Sequence, residues 1–200
     1  DAIYEIMRLL DTHNYKGVIA IKSTIEPLIC ATLSKQYPSC NIVHNPEFLS
    51  AKTAYQDFHN QKHIVLGKTP ECNEQSYNCI INFYKEYYPQ SQISLCTTTE
   101  SESMKLFVNS FYASKIQLFN EFYSVCQKID INYDTVKNLM LKNNWINPTH
   151  TSVPGTDGQL SYGGACFPKD TESLLEFMKK NSSKYEVLNA VIKERNLMRN

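Results

Sequence analysis

The chain has 200 residues, of which 42% are hydrophobic, so it can form one or two domains with ordinary cores. Its 20 basic residues balance its 20 acidic residues, and a formally neutral chain exerts no overall attraction on nucleic acid or an anionic membrane. The longest apolar stretches are too short to span a bilayer, and residues 1–5 lack the basic segment and apolar core of a signal peptide. Together these features predict a cytoplasmic protein without nucleic-acid or membrane partners.

The first half of the chain alternates between strand and helix patterns. An amphipathic helix opens the sequence, and a chain that begins inside a helix is expected to be part of something longer. The predicted elements that follow are strands at 17–21, 41–44, 63–66 and 92–96, and helices at 26–36 and 71–86. Strands that alternate with helices of this length imply crossover connections, so the fold class is α/β with a largely parallel sheet.

The second half predicts helices. Thr99 and Glu102 have the spacing of a capping box, and apolar residues then recur at helical spacing, so one helix is predicted over 99–128. This length exceeds the common range of globular helices, and we therefore expect the helix to connect domains or subunits. Shorter helices are predicted at 134–141, after Pro168 and near Glu186, with mostly loop over 144–162.

A glycine-rich loop leads to one cysteine. Four of the six glycines lie in this loop: Gly155, Gly158, Gly163 and Gly164. Cys166 follows them, and Pro168 suits the first turn of a helix that begins just after the thiol. Free N–H groups, the positive end of the helix dipole and the charge of Lys169 all favour a thiolate there. We therefore predict that Cys166 is a nucleophile rather than a buried packing residue.

The other six cysteines fit the packing interpretation. Four are flanked by apolar residues and two lie near turns: Cys30, Cys79, Cys96 and Cys126, and Cys40 and Cys72. The chain contains no C-x-x-C pair and no histidine spacing suited to zinc, so no metal is predicted. An odd number of cysteines without a pattern indicates reduced thiols.

Three further clusters carry possible chemistry. Lys105 and Asn109 are four residues apart on the long helix and share a face, which suits binding of an oxyanion but is also typical of a solvated polar stripe. The other two clusters follow the first and second strands: Lys22, Ser23 and Thr24, and Asn45, Pro46, Glu47, Phe48 and Leu49. Ligands bind at the carboxyl ends of strands in open parallel sheets, so both segments are candidate binding loops.

Together these segments resemble the UDP-glucose/GDP-mannose dehydrogenase family over almost the whole chain. The matching segments, in the family's order, are 22–25, 45–49, 57–67, 105–109 and, most specifically, Gly163-Gly164-Ala165-Cys166-Phe167-Pro168-Lys169-Asp170. The resemblance implies the carboxyl-terminal part of a Rossmann-like NAD-binding domain over 1–98. It implies a mainly helical central domain with the cysteine loop over 99–200, reached through the long helix, and a homodimer that forms through helix 99–128.

The same resemblance implies a reaction. Enzymes of this family oxidise the C6 hydroxymethyl group of a nucleotide sugar, here UDP-glucose to UDP-glucuronate, with two NAD⁺ and a covalent cysteine intermediate. Cys166 then resembles the nucleophile that forms the thiohemiacetal and thioester. Lys105 and Asn109 resemble the pair that stabilises the oxyanion, and Asp170 the residue that orients a water.

Further residues acquire roles from the resemblance alone. Thr24 is similar to a threonine that lines the water site, and Glu47 to a glutamate linked to thioester hydrolysis. NAD is expected to contact Lys169, Ser23 and Thr24. The nucleotide sugar is expected to contact Glu47, Phe48, Leu49, Lys105, Asn109, Tyr162, Gly163 and His150.

The sequence also departs from the family pattern. It contains no G-x-G-x-x-G turn for the dinucleotide pyrophosphate, so these residues alone should bind NAD poorly. The family's carboxyl-terminal domain would follow Asn200. Ala51 stands where many members have a second glutamate, and His63 stands where they have an arginine. Segment 144–161 lacks the arginine used toward substrate phosphates, and His150 is the predicted substitute.

Three alternatives stay open from the sequence. The cysteine loop also occurs in GDP-mannose 6-dehydrogenases, so the nucleotide base is undecided. A catalytically impaired module that dimerises through helix 99–128 would tolerate Ala51. A free-standing cysteine hydrolase would need a histidine base beside Cys166, which the sequence does not identify.

Overall fold

A computed structural model describes residues 2–50 and 52–199 of the chain. The chain divides into two compact units, Asp1–Lys105 and Leu106–Asn200. The first unit contains α1 (Ala2–Thr12), β1 (Val18–Ile21), α2 (Ile29–Gln36), β2 (Asn41–His44), α3 (Ala54–His59), β3 (His63–Lys68), α4 (Glu74–Tyr87) and β4 (Gln92–Thr97). Helix α5 (Thr98–Lys128) begins in the first unit and continues into the second, which also contains α6 (Tyr133–Leu141), α7 (Phe167–Lys180) and α8 (Glu186–Arg199).

The four strands form one sheet in the order β1-β2-β3-β4. Strands β1 and β2 run parallel, as do β3 and β4, which confirms the α/β class and the largely parallel sheet. The central pair is antiparallel, with Val43 opposite Lys68 and His44 opposite Gly67. This reversal was not predicted because a strand that is buried on both faces has the same apolar run in either direction.

The starts of two helices differ from the prediction for local reasons. Helix α2 begins at Ile29 rather than at 26, because Pro27 disfavours a helical conformation for Glu26. Helix α4 begins at Glu74 rather than at 71, because the Asn73 side chain accepts a hydrogen bond from Ser76 N and caps the helix. The short helix α3 was not predicted at all.

The predicted capping box at Thr99 and Glu102 is wrong. Thr97 and Glu100 form the reciprocal pair instead, with Thr97 N donating to Glu100 and Glu100 N donating to the Thr97 hydroxyl. Glu102 is fully buried and accepts hydrogen bonds from the amides of Leu28 and Cys30 at 2.7 Å each. It therefore caps the start of α2. Burial raises the pKa of Glu102, against the effect of these hydrogen bonds.

Each unit contains its own apolar clusters. In the first unit, one cluster surrounds Val43, Ile64 and Leu66 under α4, and another surrounds Leu33 and Ile42. In the second unit, Leu106, Leu174, Leu175, Leu188 and Ile192 join the start of α5 to α7 and α8. A further cluster contains Phe119, Cys126 and Tyr133. No helix in residues 2–50 and 52–199 is long and apolar enough to cross a membrane.

Candidate active site

Cys166 lies immediately before the first residue of α7, at its N-cap position, with Pro168 in the first turn. Gly164 has a φ of +77°, a left-handed conformation that glycine adopts without strain and that turns the chain into the helix. Cys166 and Cys79 are the exposed cysteines, whereas Cys96 is half-buried and the other four are buried. The exposure of Cys79 corrects the expectation that it packs among apolar neighbours. Cys166 is thus an accessible thiol at the amino end of a helix.

Asp170 and Asn109 form a buried pair in the second unit. The Asn109 amide nitrogen donates to Asp170 Oδ2 at 2.6 Å, and the two residues are 6% and 1% exposed. Asp170 lies in the first turn of α7, four residues after Cys166, whose carbonyl accepts the Asp170 amide. The polar-stripe interpretation of Asn109 is therefore wrong, because this side chain is buried against a carboxylate.

The second oxygen of Asp170 is less well satisfied. Lys169 Nζ lies 3.1 Å from Asp170 Oδ1, yet this buried oxygen has no well-oriented hydrogen-bond partner among the described residues. The Lys169 side chain is 62% exposed, so the ion pair faces solvent on one side. A buried acceptor without a donor is costly, and a bound water is the usual way to satisfy it.

His150 packs against aromatic residues rather than lying free in its loop. Its ring lies 5.0 Å from Tyr112 and 5.7 Å from Phe167, the residue that follows Cys166. Lys115 donates to the carbonyls of Asn147 and Thr149 and fixes the preceding turn. Burial lowers the pKa of His150, and the charge of Lys115 lowers it further. The histidine is therefore held near the cysteine loop as an uncharged ring at neutral pH.

Tyr162 and Gly163 form the approach to the cysteine. Tyr162 is 2% exposed, its hydroxyl lies 3.4 Å from Thr171 Oγ1, and its carbonyl accepts from Arg195. Burial raises the pKa of Tyr162. The Tyr162 side chain is thus buried against the protein interior, which favours a structural role over direct contact with a ligand. Gly163 is half-buried and lies against Arg199.

In the first unit, Asn45 organises the carboxyl ends of the strands. Its side-chain oxygen accepts from Lys22 at 3.0 Å and from the Tyr84 hydroxyl at 2.5 Å, and its amide donates to the Val65 carbonyl at 2.9 Å. Burial lowers the pKa of Lys22, while the nearby Glu47 carboxylate opposes that effect. The two predicted binding loops are therefore joined through one buried amide.

Lys105 also belongs to this first-unit cluster. It is 5% exposed, donates to the Glu47 carbonyl, and lies 4.6 Å from the centre of the Phe48 ring. The Glu47 carboxylate turns back to accept the Leu49 amide at 2.5 Å. The polar-stripe interpretation is thus also wrong for Lys105, which the fold brings to the 45–49 loop.

His44 links three segments around the same loops. Nε2 lies 3.3 Å from the carbonyl of Ser23, which can only accept, so Nε2 carries the proton and Nδ1 accepts from the Ser101 hydroxyl at 2.8 Å. Burial lowers the pKa of His44 to about 4, and the charges of Lys22 and Lys105 add to this effect. Thr24 is half-buried and Ser23 is exposed.

Three residues with long-range partners were not predicted in those roles, and one residue named in the sequence analysis lies outside the described part of the chain. Ala51 falls outside the described residues. His44 and Arg199 gave no sequence signal, and Glu102 gave only the signal of a local cap, since each acts through a partner far along the chain. Their partners Ser101, Cys30 and Asp157 lie 57, 72 and 42 residues away in the sequence, and such pairings are invisible before folding.

The sheet and the long helix together have the fold of solved nucleotide-sugar dehydrogenases. Residues 99–196 match the central domain of the UDP-glucose/GDP-mannose dehydrogenase family, and this part of the chain belongs to that family. It is 31% identical over 206 residues to UDP-glucose 6-dehydrogenase from Rickettsia prowazekii (strain Madrid E), covering 98% of the chain and 44% of the relative. The chain thus spans less than half the length of this curated relative.

Solved structures show the same fold. A UDP-glucose dehydrogenase from the hyperthermophilic archaeon Pyrobaculum islandicum has a TM-score of 0.82 at 22% identity, over 96% of this chain and 44% of that one. GDP-mannose dehydrogenase from Pseudomonas aeruginosa has a TM-score of 0.59 at 18% identity, over 99% of this chain and 47% of that one. At these identities the likeness concerns the fold alone.

Proposed function

We propose that the protein oxidises the C6 hydroxymethyl group of UDP-glucose to the carboxylate of UDP-glucuronate, with NAD⁺ as the oxidant. The observation that carries this proposal is the buried hydrogen bond from Asn109 on α5 to Asp170, which lies in the first turn of α7 just after the exposed Cys166. The names of the similar curated proteins support UDP-glucose over other nucleotide sugars.

Cys166 acts as the nucleophile. A first hydride and a proton leave the hydroxymethyl group and give the C6 aldehyde. The thiolate attacks this aldehyde, a carbon–sulfur bond forms, and the carbonyl oxygen becomes an oxyanion. Loss of the remaining C6 hydride yields a thioester, and both hydrides pass to NAD⁺. Attack by water then breaks the carbon–sulfur bond, releases the carboxylate and returns the thiolate. Its exposed position at the amino end of α7 supports this role, because the sulfur is accessible to a substrate there.

Asn109 and Lys105 stabilise the oxyanion. The Asn109 amide nitrogen carries two hydrogens and donates one to Asp170, so the second remains to bind the C6 oxygen. Lys105 supplies a positive charge that its contacts with Glu47 and Phe48 hold in place. Removal of one oxyanion donor typically costs about 10²–10³ in rate.

Asp170 orients the water that cleaves the thioester. Its Oδ1 atom is buried and has no well-oriented donor among the described residues, and an acceptor of this kind suits a hydrolytic water. In the first unit, Thr24 lines a water site and Glu47 contributes to hydrolysis. The turn of Glu47 toward the Leu49 amide keeps its carboxylate at the loop surface, where it is half-buried.

The residues that would hold NAD fit an anionic dinucleotide. Ser23 is exposed at the carboxyl end of β1, next to Thr24, which is the usual ligand edge of such a sheet. Lys169 presents an exposed ammonium group in the first turn of α7. When bound, NAD⁺ accepts the hydride, and these residues supply orientation and positive charge.

The residues proposed to hold the sugar nucleotide are the loop at Glu47, Phe48 and Leu49 in the first unit, and His150, Tyr162 and Gly163 in the second. His150 contributes an uncharged ring, whereas Tyr162 and Gly163 contribute through their main chain. Oxidation of GDP-mannose is the second candidate, favoured by the shared cysteine loop. A catalytically impaired dimeric protein is the third, favoured by Ala51.

The test is NADH production by the full-length protein with UDP-glucose and with GDP-mannose. We expect turnover with UDP-glucose, two NADH per sugar, and loss of net oxidation in Cys166→Ser. Cys79→Ser is the matched control, because Cys79 is the other exposed thiol, and it should leave turnover unchanged. Unchanged turnover in Cys166→Ser would refute the covalent mechanism, activity with GDP-mannose alone would refute the substrate, and no turnover with either sugar would favour the impaired protein.

A further inference from the structure

The carboxyl end of α8 holds the loop that leads to Cys166. Arg199, in the last turn of α8, has a side chain that is only 10% exposed. Its guanidinium donates to four acceptors of that loop: Leu160 O at 2.7 Å, Asp157 Oδ2 and Ser161 O at 2.8 Å, and Gln159 Oε1 at 3.2 Å. One planar, charged group therefore binds four residues within the stretch 157–161.

The same loop is held from a second side. Ser161 has a φ of +58° and is buried, with its amide donating to Asn120 and its hydroxyl to Gln117, both on α5. Arg195, one turn before Arg199, donates to the Tyr162 carbonyl at 3.3 Å. The loop before the cysteine is thus fixed by long side chains of two helices and not by its own turns alone.

Gly163 depends directly on this guanidinium. A Cβ atom at Gly163 would lie 2.2 Å from Arg199 Nη1 and 2.7 Å from Cζ. The backbone of Gly163 is outside the left-handed region, so space and not conformation requires glycine here. Because the guanidinium is tied at four points, an alanine could fit only by displacing it.

We propose that Arg199 is a positioning residue for the cysteine loop: its fixed guanidinium sets the path of the main chain at Gly163, three residues before Cys166. The role of the loop in oxidation rests on the proposed function, but the positioning itself does not. The hydrogen bond from Arg199 and that from the Gln159 amide lower the pKa of Asp157, which keeps the carboxylate charged and paired.

The test combines amide hydrogen exchange of peptides over 155–164 with steady-state kinetics in the full-length protein. In Arg199→Met we expect exchange in this loop to rise by at least about tenfold, since bonds to a charged donor are lost, while exchange in α6 stays as in wild type. We expect kcat/KM to fall by about tenfold or more, because a small displacement of reacting groups is costly. Arg199→Lys should recover part of both losses, as one ammonium can replace only some of the bonds.

Gly163→Ala is the more specific test, because it probes the contact between Gly163 and Arg199 itself. It should raise loop exchange and lower kcat/KM in the wild-type background, and should have almost no further effect in Arg199→Met, where the Cβ meets no guanidinium. Equal effects of Gly163→Ala in both backgrounds, or unchanged exchange in Arg199→Met, would overturn the proposal. A protein that oxidises neither sugar would refute the proposed function instead, and the exchange measurements would still decide the positioning role.

Discussion

At the scale of single residues, the candidate site contains a carboxylate that the fold buries beside an amide. Asp170 is bound by Asn109 through one oxygen and approached by exposed Lys169 at the other. A buried carboxyl group is costly unless donors face it, and here one oxygen has a donor whereas the other only lies near an ammonium group. Asp170 therefore has to fit a buried position and also to accept hydrogen bonds there. Replacement by asparagine keeps the shape of the side chain and changes only its hydrogen bonding and charge.

We predict that Asp170→Asn slows hydrolysis of the thioester more than its formation, because the neutral amide keeps the volume but orients water less well. A loss of about 10² in kcat is expected, and intact-protein mass spectrometry should detect a sugar-nucleotide adduct on Cys166 during turnover. Asp134→Asn, a change at an exposed aspartate on α6, is the control. A fall in kcat without any adduct would contradict the assignment of Asp170 to the hydrolytic step.

At the scale of elements, the long helix exposes an apolar stripe. Phe111, Leu118 and Val125 follow at intervals of seven residues and are all exposed, with Phe107 one turn before them. A seven-residue repeat of apolar side chains is typical of helices that pack along one another. We therefore retain the prediction that the protein forms a homodimer through helix α5.

We predict that the protein sediments as a dimer and that Phe111→Glu combined with Leu118→Glu gives a monomer, because two charges would be buried in the interface. Val187→Glu is the matched control, an exposed apolar residue on α8 changed in the same way, and it should remain dimeric. Analytical ultracentrifugation decides the matter, and a monomeric wild-type protein would remove the proposed role of the helix.

The elements also show where sequence patterns succeed and fail. The strands at 41–44 and 92–97 and the helices after Cys166 follow from apolar runs and from Pro168, since these signals are local. Helix α3 has only six residues and too few apolar positions to reveal a period. Glu102 has the spacing of a local cap, yet it binds amides more than 70 residues earlier, because burial against α2 outweighs a bond within its own helix.

At the scale of the whole molecule, a buried neutral histidine links folding to pH. His44 has a pKa of about 4 in the folded protein and 6.5 as its ordinary value, so the unfolded chain binds a proton that the folded chain does not. Stability contributed by His44 is therefore complete above pH 6.5 and is lost as the pH falls from 6.5 toward 4. The burial that causes this shift also fixes the contacts with Ser23 and Ser101.

We predict that the denaturant midpoint of the wild-type protein decreases between pH 7 and pH 4.5, with up to about 3 kcal/mol from His44 over the full range. His44→Gln should lower stability at pH 7 but flatten this dependence, and His59→Gln, at an exposed histidine, serves as control. Circular dichroism in urea at several pH values measures both. An equally steep dependence in His44→Gln would exclude His44 as its source.

The sequence by itself determined the α/β class, the order of most elements and the family, because these depend on local periodicity and on the dense motif from Gly163 to Asp170. It also indicated Cys166 as the candidate nucleophile, since glycines, proline and thiol stand together in the chain. Tertiary structure alone decided the antiparallel pairing of β2 with β3, the contact of Asn109 with Asp170, the burial of Tyr162 and the hold of Arg199 on the cysteine loop. Each of these joins residues distant in sequence, and a side chain's partner across such a distance is set by how the helices and strands pack.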